Sequence, residues 1–327
     1  MINFLKRYKH YLSNLILIWT IFFFYKTFDY YQKILSQNTL KTLLYLALAY
    51  SILGLIYYSL TPKDNLRETK GTLLIKTLSK IAFFKKIDKK EKISLLFIIV
   101  KIFFLPLMIN FALANYYALK NQIPQLFHSG NLFSISSFNA ISFPLILTLI
   151  FFIDTLVFAL GYAFEAKFLK NRIISVESTF FGWFVTLICY PPFNSYVTKY
   201  LDWYANDYII FSSESITFIM RILIISLLTI YVSATISLGT KASNLTNRGI
   251  VSRGPYKYIR HPAYITKNLS WWATIIPILS WPAILSMSFW SIIYHLRAIT
   301  EEKHLSQDPA YIEYKKKVKY RYIPFIY

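Results

Sequence analysis

Long blocks of apolar residues run through this 327-residue chain and constrain its fold more than any other feature. A helix needs roughly 17 to 25 apolar residues to cross a bilayer, and only helices or closed barrels satisfy their backbone polar groups there. Hydrophobic residues make up 56% of the sequence and charged residues only 16%, against about 25% charged in a typical soluble protein. The sequence therefore predicts an all-α, polytopic membrane protein.

The apolar blocks predict about eight transmembrane helices. Their approximate ranges are 11–28, 42–60, 93–117, 141–164, 178–191, 214–238, 264–280 and 282–297. The fifth range and the last two are short, so a tilted span or a tight hairpin within the membrane is an alternative there. Trp281-Pro282 favours a sharp turn between the last two, because a residue that precedes proline avoids the helical conformation.

Basic residues are concentrated between and after these blocks, and the formal net charge is +21. Ten of the 36 Lys and Arg lie within 61–92, five lie within 241–260 and five within 315–321. Cytoplasmic loops of membrane proteins carry such an excess of positive charge. The pattern places both termini in the cytoplasm and makes nucleic-acid binding a poor second explanation of the charge.

The loop 61–92 admits two interpretations. Its apolar residues have a helix-like spacing, which would suit an amphipathic helix at the membrane interface. They are Leu73, Leu74, Leu78, Ile81 and Phe84. The alternative, slightly favoured, is a solvated loop held near anionic lipid.

Cysteine and histidine usage excludes several site types. Cys189 is the single cysteine, so no internal disulfide is possible, and no set of His, Asp and Glu has metal-ligand spacing. The first apolar block lacks a small-residue cleavage site, so we interpret it as a retained helix. Asp154 lies in the middle of the fourth predicted span and has no assigned role; pairing with Arg221 is one explanation of it.

A polar stretch from 237 to 264 is unlike the apolar sequence around it. It contains three glycines and two prolines, and Gly254-Pro255 and His261-Pro262 favour turns. The chain has 27 Lys and nine Arg overall, yet four Arg and two Lys between 248 and 297. This bias favours a need for the planar guanidinium, which binds carboxylates through paired hydrogen bonds. General positive charge at a cytoplasmic loop is the simpler alternative.

A second polar element, 294–305, continues the last predicted span into the cytoplasm. On a helix Arg297 and Glu301 share a face, whereas Glu302 is turned away by about 100°. Alone, this pattern would indicate a weakly stabilising salt bridge at a helix end.

Together the two elements resemble the isoprenylcysteine carboxyl methyltransferase family and its phospholipid methyltransferase relatives, in the form of a bacterial member. The residues that carry the resemblance read Arg-Gly-Pro-Tyr-x-Tyr-x-Arg-His-Pro-x-Tyr over 253–264, followed by Arg-x-x-x-Glu-Glu over 297–302. The resemblance covers about 215–327, is fainter over 161–194, and does not extend to 1–130. We accordingly predict N-terminal membrane helices of unknown role (1–130) and a methyltransferase domain (131–327).

The resemblance implies an S-adenosylmethionine site that faces the cytoplasm, formed by segment 239–264 and by the start of the tail 298–327. The residues implied to contact the cofactor are Lys241, Arg248, Gly249, Ile250, Val251, Tyr256, His261, Pro262, Ala263, Tyr264 and Glu301. Arg297 is the implied catalytic residue that binds the substrate carboxylate. The chain departs from the family at Thr266, followed by Lys267, where many members have glycine, which makes the substrate less certain than the reaction.

Acceptor chemistry distinguishes the candidate reactions. A carboxylate is already ionised at neutral pH and needs only orientation by Arg297, whereas an amine must first lose a proton to a base. We therefore expect methylation of a lipophilic carboxylate, such as an isoprenoid thioether acid, in a bacterial inner membrane. The partners expected are this substrate and membrane lipids, with no obligate protein partner. The alternatives are a phosphatidylethanolamine N-methyltransferase, an NADPH-dependent membrane sterol or enoyl reductase, and a non-enzymatic protein with a decayed site.

Overall fold

The computed structural model describes residues 2–61, 69–128, 134–166, 168–324 and 326, and it is almost entirely helical. The chain divides into two compact units, Met1–Asn110 and Phe111–Tyr327. The boundary predicted from sequence, at residue 130, lies further along the chain. The two units are described separately below.

The N-terminal unit is built from four helices and the first part of a fifth. These are α1 (Ile2–Thr27), α2 (Asp29–Ile34), α3 (Gln37–Leu60), α4 (Lys70–Ala82) and α5 (Lys89–His128), which continues beyond the unit. Helix α1 packs against α3 and α4. The buried hydroxyls of Tyr25 and Tyr31 both donate to the carbonyl of Ile102, which joins α1 and α2 to α5.

Helix α4 corresponds to part of the basic loop for which two interpretations were open. The structure contains the helix, and Thr69 caps it by accepting a hydrogen bond from the Thr72 amide. Residues 62–68 of the same loop lie outside the described residues. A position at the membrane interface stays a prediction.

The C-terminal unit contains the remaining elements. They are α6 (Ile135–Ser137), which continues through a π-helical turn (Phe138–Ser142) into α7 (Phe143–Ala163), β1 (Ser175–Val176), α8 (Phe180–Leu187), α9 (Phe193–Val197), α10 (Glu214–Leu238), β2 (Thr246–Asn247), α11 (Pro262–Ile275), α12 (Trp281–Leu305) and α13 (Pro309–Lys317). Helix α10 packs against α7 and α11. Their shared core includes Phe143, Leu147, Ile224 and Leu228, all fully or almost fully buried.

Four helices within the described residues are long and apolar enough to cross a membrane. They are Gln37–Leu60, Lys89–Phe127, Ile135–Ala163 and Glu214–Lys241. These helices support a membrane protein, but the count of eight spans and the positions of the termini are not confirmed. The predicted span 178–191 contains only the eight residues of α8, which extend about 12 Å, whereas the hydrocarbon core is about 30 Å thick.

Candidate functional site

The polar segment after α10 wraps back over the end of the C-terminal unit. Gly239, at φ +54°, ends α10 in a conformation that favours glycine. The segment then pairs β2 antiparallel with β1, Ser175 opposite Asn247 and Val176 opposite Thr246. A 3₁₀ turn over Gly254–Lys257 leads into α11, where Pro262 occupies the first turn. The segment is thus held at both ends by helices.

A pocket opens between this segment, α12 and α13. The enclosed cavity measures about 100 Å³, which is smaller than most ligand pockets, and it opens into a wider cleft that is continuous with solvent. Eight of the eleven residues implied by the resemblance line it: Lys241, Arg248, Gly249, Ile250, Val251, Tyr256, His261 and Glu301. The pocket therefore gathers residues that lie up to 60 positions apart in the sequence.

Eight further residues line the pocket that were not among the implied cofactor contacts, although Arg260 belongs to the motif that carries the resemblance. They are Leu238, Ser243, Thr246, Asn247, Arg260, Leu305, Tyr311 and Tyr314. Tyr311 and Tyr314 are three residues apart on α13 and face the pocket together. This i,i+3 spacing of tyrosines in the tail was the available signal. Burial raises the pKa of Tyr256, Tyr311 and Tyr314 alike, so their hydroxyls stay protonated at neutral pH.

A buried carboxylate fastens the pocket segment to the tail. Glu302 Oε1 lies 2.7 Å from Arg260 Nε and 3.2 Å from His261 Nε2, and its Oε2 lies 3.1 Å from Arg321 Nη2. Burial alone would raise the pKa of the Glu302 carboxyl, but hydrogen bonds from His261, Arg321 and Arg260 outweigh it and hold the pKa well below its usual range. Glu302 is therefore ionised and saturated by cations.

Backbone contacts extend this attachment. The amides of Arg260 and His261 donate to the carbonyls of Tyr320 and Arg321, both at 3.0 Å, so the tail pairs with the turn before α11. Tyr314 Oη donates to the carbonyl of Tyr256 at 2.8 Å. The tail thus forms one wall of the pocket.

Glu301, which directly precedes Glu302 on α12, occupies a different position. Glu301 lines the pocket and accepts a hydrogen bond of 2.6 Å from Tyr264 Oη. The Tyr264 ring stacks on His261, with centroids 5.3 Å apart. Arg297 and Glu301, expected to share a helix face, form no ion pair within 4.0 Å in the part of the chain that the structure describes.

Three residues implied by the resemblance to contact the cofactor lie outside the pocket lining. Pro262 begins α11, and Ala263 packs against the apolar core of α7 and α10. Tyr264 contacts the pocket through Glu301 instead. Their positions identify the start of α11 as a support behind the pocket wall.

Arg297 lies buried behind Glu301 and outside the pocket lining. Its guanidinium faces the rings of Tyr264, Tyr294 and Tyr190 at 5.2, 5.8 and 5.9 Å from their centroids. One amino group, Nη2, donates to Asn244 Oδ1. Its other N–H groups have no carboxylate acceptor among the described residues. The guanidinium also hydrogen-bonds to the Cys189 side chain, so part of the planar, five-donor fork lacks an anionic partner.

A second polar cluster lies deeper, between α7, α10 and α11. Asp154 accepts hydrogen bonds from Tyr231 at 2.6 Å and from Thr235 at 2.7 Å. Lys267 Nζ lies 3.5 Å from the Tyr231 hydroxyl. Arg221 bonds instead to the carbonyls of Asn139 and Tyr208, so the structure does not pair it with Asp154.

Chemistry in the pocket suits a zwitterionic ligand. Glu301 provides an anionic acceptor, whereas Lys241 and Arg248 provide cationic donors. Gly249 adopts φ +92°, a backbone conformation that favours glycine, and a Cβ there would lie 3.1 Å from Lys241 Nζ. S-adenosylmethionine has a carboxylate, an ammonium, a sulfonium and a flat base, and these residues fit its groups.

Fold and site together define a helical membrane protein with a polar pocket beside its apolar helices. Residues 215–308, which are 94 of the 327, match the family model described as phospholipid methyltransferase. The match supports a membrane methyltransferase of this general type, and members of that family generally use S-adenosylmethionine. Neither curated proteins nor solved structures give a significant match to the chain.

Proposed function

We propose that this chain is an integral membrane, S-adenosylmethionine-dependent methyltransferase that methylates a carboxylate of a lipophilic acceptor. One observation carries the choice of acceptor. The buried guanidinium of Arg297 has no carboxylate partner among the described residues, and it lies one side chain, Tyr264, away from the pocket residue Glu301. The match of residues 215–308 supports the reaction class.

The pocket residues would divide the cofactor between them. Lys241 and Arg248 would bind its carboxylate, Glu301 its hydroxyl or ammonium groups, and Tyr256 would offer a ring face to its base. When bound, S-adenosylmethionine supplies an electrophilic methyl group on its sulfonium. Because in-line displacement depends mainly on alignment, the rigid attachment of Arg260 and His261 to Glu302 serves to hold the wall in place.

Arg297 would orient the acceptor. Its fork can donate hydrogen bonds to both oxygens of a carboxylate, and the rings of Tyr190, Tyr264 and Tyr294 surround it. A carboxylate is ionised at neutral pH, so the reaction requires no general base. Alignment by a desolvated arginine is then the main contribution of the protein.

A phospholipid N-methyltransferase is the second candidate, because the matched family model carries that description. An amine acceptor must lose a proton, and Glu301 is a carboxylate that the ring of Tyr264 connects to Arg297. In that reaction Arg297 would have no acceptor carboxylate to bind. The two candidates therefore differ in their dependence on pH and on Arg297.

We further propose that the pocket faces the cytoplasm of a bacterium, with the protein in its inner membrane. The basic residues beside the pocket, in 241–260 and 315–321, follow the positive-inside rule. Labelling of single cysteines introduced at 257 and 316 from either side of a sealed vesicle tests the orientation. Labelling of either position from the outer side would contradict it.

Calorimetry on the detergent-solubilised chain tests the cofactor first, with S-adenosylmethionine and NADPH as titrants. Tight binding of NADPH alone would instead indicate a reductase. Glu301→Gln and His261→Ala should each weaken S-adenosylmethionine binding by about 10- to 150-fold, the value of one hydrogen bond to a charged group. Lys199→Met, far from the pocket lining, is the control.

Arg297→Lys tests the acceptor. The lysine keeps the charge and loses the fork, so we expect cofactor affinity within a few-fold of wild type and turnover reduced by about 10²-fold or more. Arg253→Lys, an exposed arginine, is the matched control. Methyl transfer from labelled cofactor is measured from pH 6 to 8 into isoprenoid thioether acids and into phosphatidylethanolamine. A flat profile with the acids supports the proposal; transfer only to the amine, rising with pH, refutes it.

A further inference from the structure

Lys267 places an ammonium group among aromatic rings on α11. Its Nζ lies 4.8 Å from the centroid of Tyr231, 5.6 Å from Phe151 and 5.7 Å from Trp271. Each contact is a cation–π interaction, which offsets only part of the cost of removing an ammonium from water. An ionisable side chain held among apolar helices is a functional candidate for this reason.

The hydrogen-bonding capacity of Lys267 is largely unused. An ammonium has three donors, and one of them meets Tyr231 Oη at the long distance of 3.5 Å. Over the described ranges, Lys267 makes no ion pair within 4.0 Å. Asp154, the nearest buried carboxylate on α7, already accepts from Tyr231 and Thr235 through its two oxygens. Two donors of Lys267 therefore remain for another acceptor.

The charged groups around Lys267 come from four segments. Asp154 and Asp207 attract it electrostatically, Arg297 repels it, and the Cys189 thiol lies near both cations. The two aspartates balance the two cations in number. Neither aspartate, however, is close enough to either cation for an ion pair. The charges of the cluster therefore balance in number, but neither Lys267 nor Arg297 has an ion-pair partner among the described residues.

Lys267 and Arg297 form separate points rather than one clamp. Lys267 faces the ring of Trp271 and Arg297 faces the ring of Tyr294, and these two rings are in edge-to-face contact at 5.2 Å. Tyr264, which faces Arg297, is three residues before Lys267 on α11. Three residues of helix rise about 4.5 Å. Lys267 therefore lies about one helical turn further from the pocket than Tyr264 does.

We propose that Lys267 binds a second anionic group of the acceptor, about one helical turn from the carboxylate that Arg297 orients. This inference rests on the proposed function and narrows its substrate class to lipophilic acids with two neighbouring anionic groups. Lys267, which directly follows the departure from glycine at Thr266, then adds a recognition point in the acceptor site. Thr266 itself is buried and bonds back to the Pro262 carbonyl, so Lys267 is the residue free to act.

Two synthetic acids that differ by one carboxylate test the proposal. They are S-farnesyl thiopropionic acid and S-farnesyl thiosuccinic acid, titrated into the solubilised full chain by calorimetry. We expect the diacid to bind wild type about 10- to 150-fold more tightly, the value of a charged hydrogen bond. Lys267→Met should bind both acids alike, Lys267→Arg should keep most of the preference, and Lys199→Met should behave as wild type.

The rate of Cys189 alkylation locates the bound acid, since Cys189 is the single cysteine and lies near both cations. Protection by the diacid supports the proposal. Equal affinity of the two acids for wild type, or a preference that survives in Lys267→Met, overturns it. If Lys267→Met also loses cofactor affinity, the comparison of the acids in wild type decides alone. Failure of methyl transfer to both acids while the cofactor binds would refute the carboxyl methyltransferase and leave this binding comparison intact.

Discussion

Glu302 offers the most direct test of how the pocket is held together. It is buried on α12 and contacts the turn before α11 through Arg260 and His261, and the tail through Arg321. Lys315 Nζ lies 3.7 Å from the same carboxylate. Glu302→Gln keeps the shape of the side chain and removes its charge, so these cations would lose their shared anion.

The magnitude follows from burial. Removing one partner of a buried ion pair costs about 3–5 kcal/mol, because a charge is left desolvated without compensation. A shift of 1 kcal/mol changes Tm by about 2–4 °C in a unit of 150–250 residues, and the C-terminal unit Phe111–Tyr327 is of this size. We therefore expect Glu302→Gln to lower Tm by roughly 6–20 °C.

Thermal unfolding of the solubilised chain at one scan rate, followed by circular dichroism, measures this shift. Glu313→Gln is the matched control on α13, since Glu313 is exposed and, among the described residues, its ion pair is with the exposed Lys316. Such surface pairs contribute about 0–1 kcal/mol. A Glu302→Gln protein with the Tm of the Glu313→Gln control would refute the assignment of Glu302 as the attachment point.

The same carboxylate predicts a dependence on pH. The pKa of Glu302 is lowered in the folded state, so the unfolded chain binds its proton more readily. Its contribution to stability is present above the unfolded pKa, near 4.3, and is lost as the pH falls from there through the lower folded pKa. Wild type should lose stability more steeply below about pH 4.5 than Glu302→Gln does, and parallel curves would contradict this.

Two substitutions test the walls of the pocket. Gly249→Ala should weaken S-adenosylmethionine binding by about 10-fold or more, because φ +92° is strained for alanine and its Cβ would crowd Lys241. The calorimetric control is Gly239→Ala, which is also at positive φ but has open space around it. Tyr314→Phe should weaken binding by a few-fold to about 10-fold, since it removes the bond to the Tyr256 carbonyl, whereas the exposed Tyr258→Phe should not.

Sequence reasoning reached the pocket because its residues are mostly local. The stretch from Lys241 to His261 contains turns fixed by glycine and proline. A polar segment between two apolar helices is also expected to lie at the ends of those helices, where the pocket is. The pairing of this segment with Glu301 depended on the resemblance rather than on spacing. Whether these residues bind the cofactor stays a prediction.

The contacts that sequence reasoning missed are long-range. Spacing on a helix suggested an Arg297–Glu301 salt bridge, but Arg297 turns to Asn244 and Glu301 to Tyr264. Glu302 binds Arg321 and Arg260, which lie 19 and 42 residues away in the sequence. Such partners depend on how helices pack, and helical periodicity carries no information about them. Likewise, the short α8 shows that apolar composition does not fix helix length.

The adjacent residues Glu301 and Glu302 have different surroundings, although they follow each other on one helix. A step of one residue turns a side chain by about 100°, so the two carboxylates face different neighbours. Glu302 meets the cations of the turn before α11 and of the tail, and it has no capacity left for a ligand. Glu301 accepts one hydrogen bond from Tyr264 and lines the pocket. Arg260 and Arg321 form their ion pairs with Glu302 and not with Glu301. Glu301 therefore remains available to a ligand.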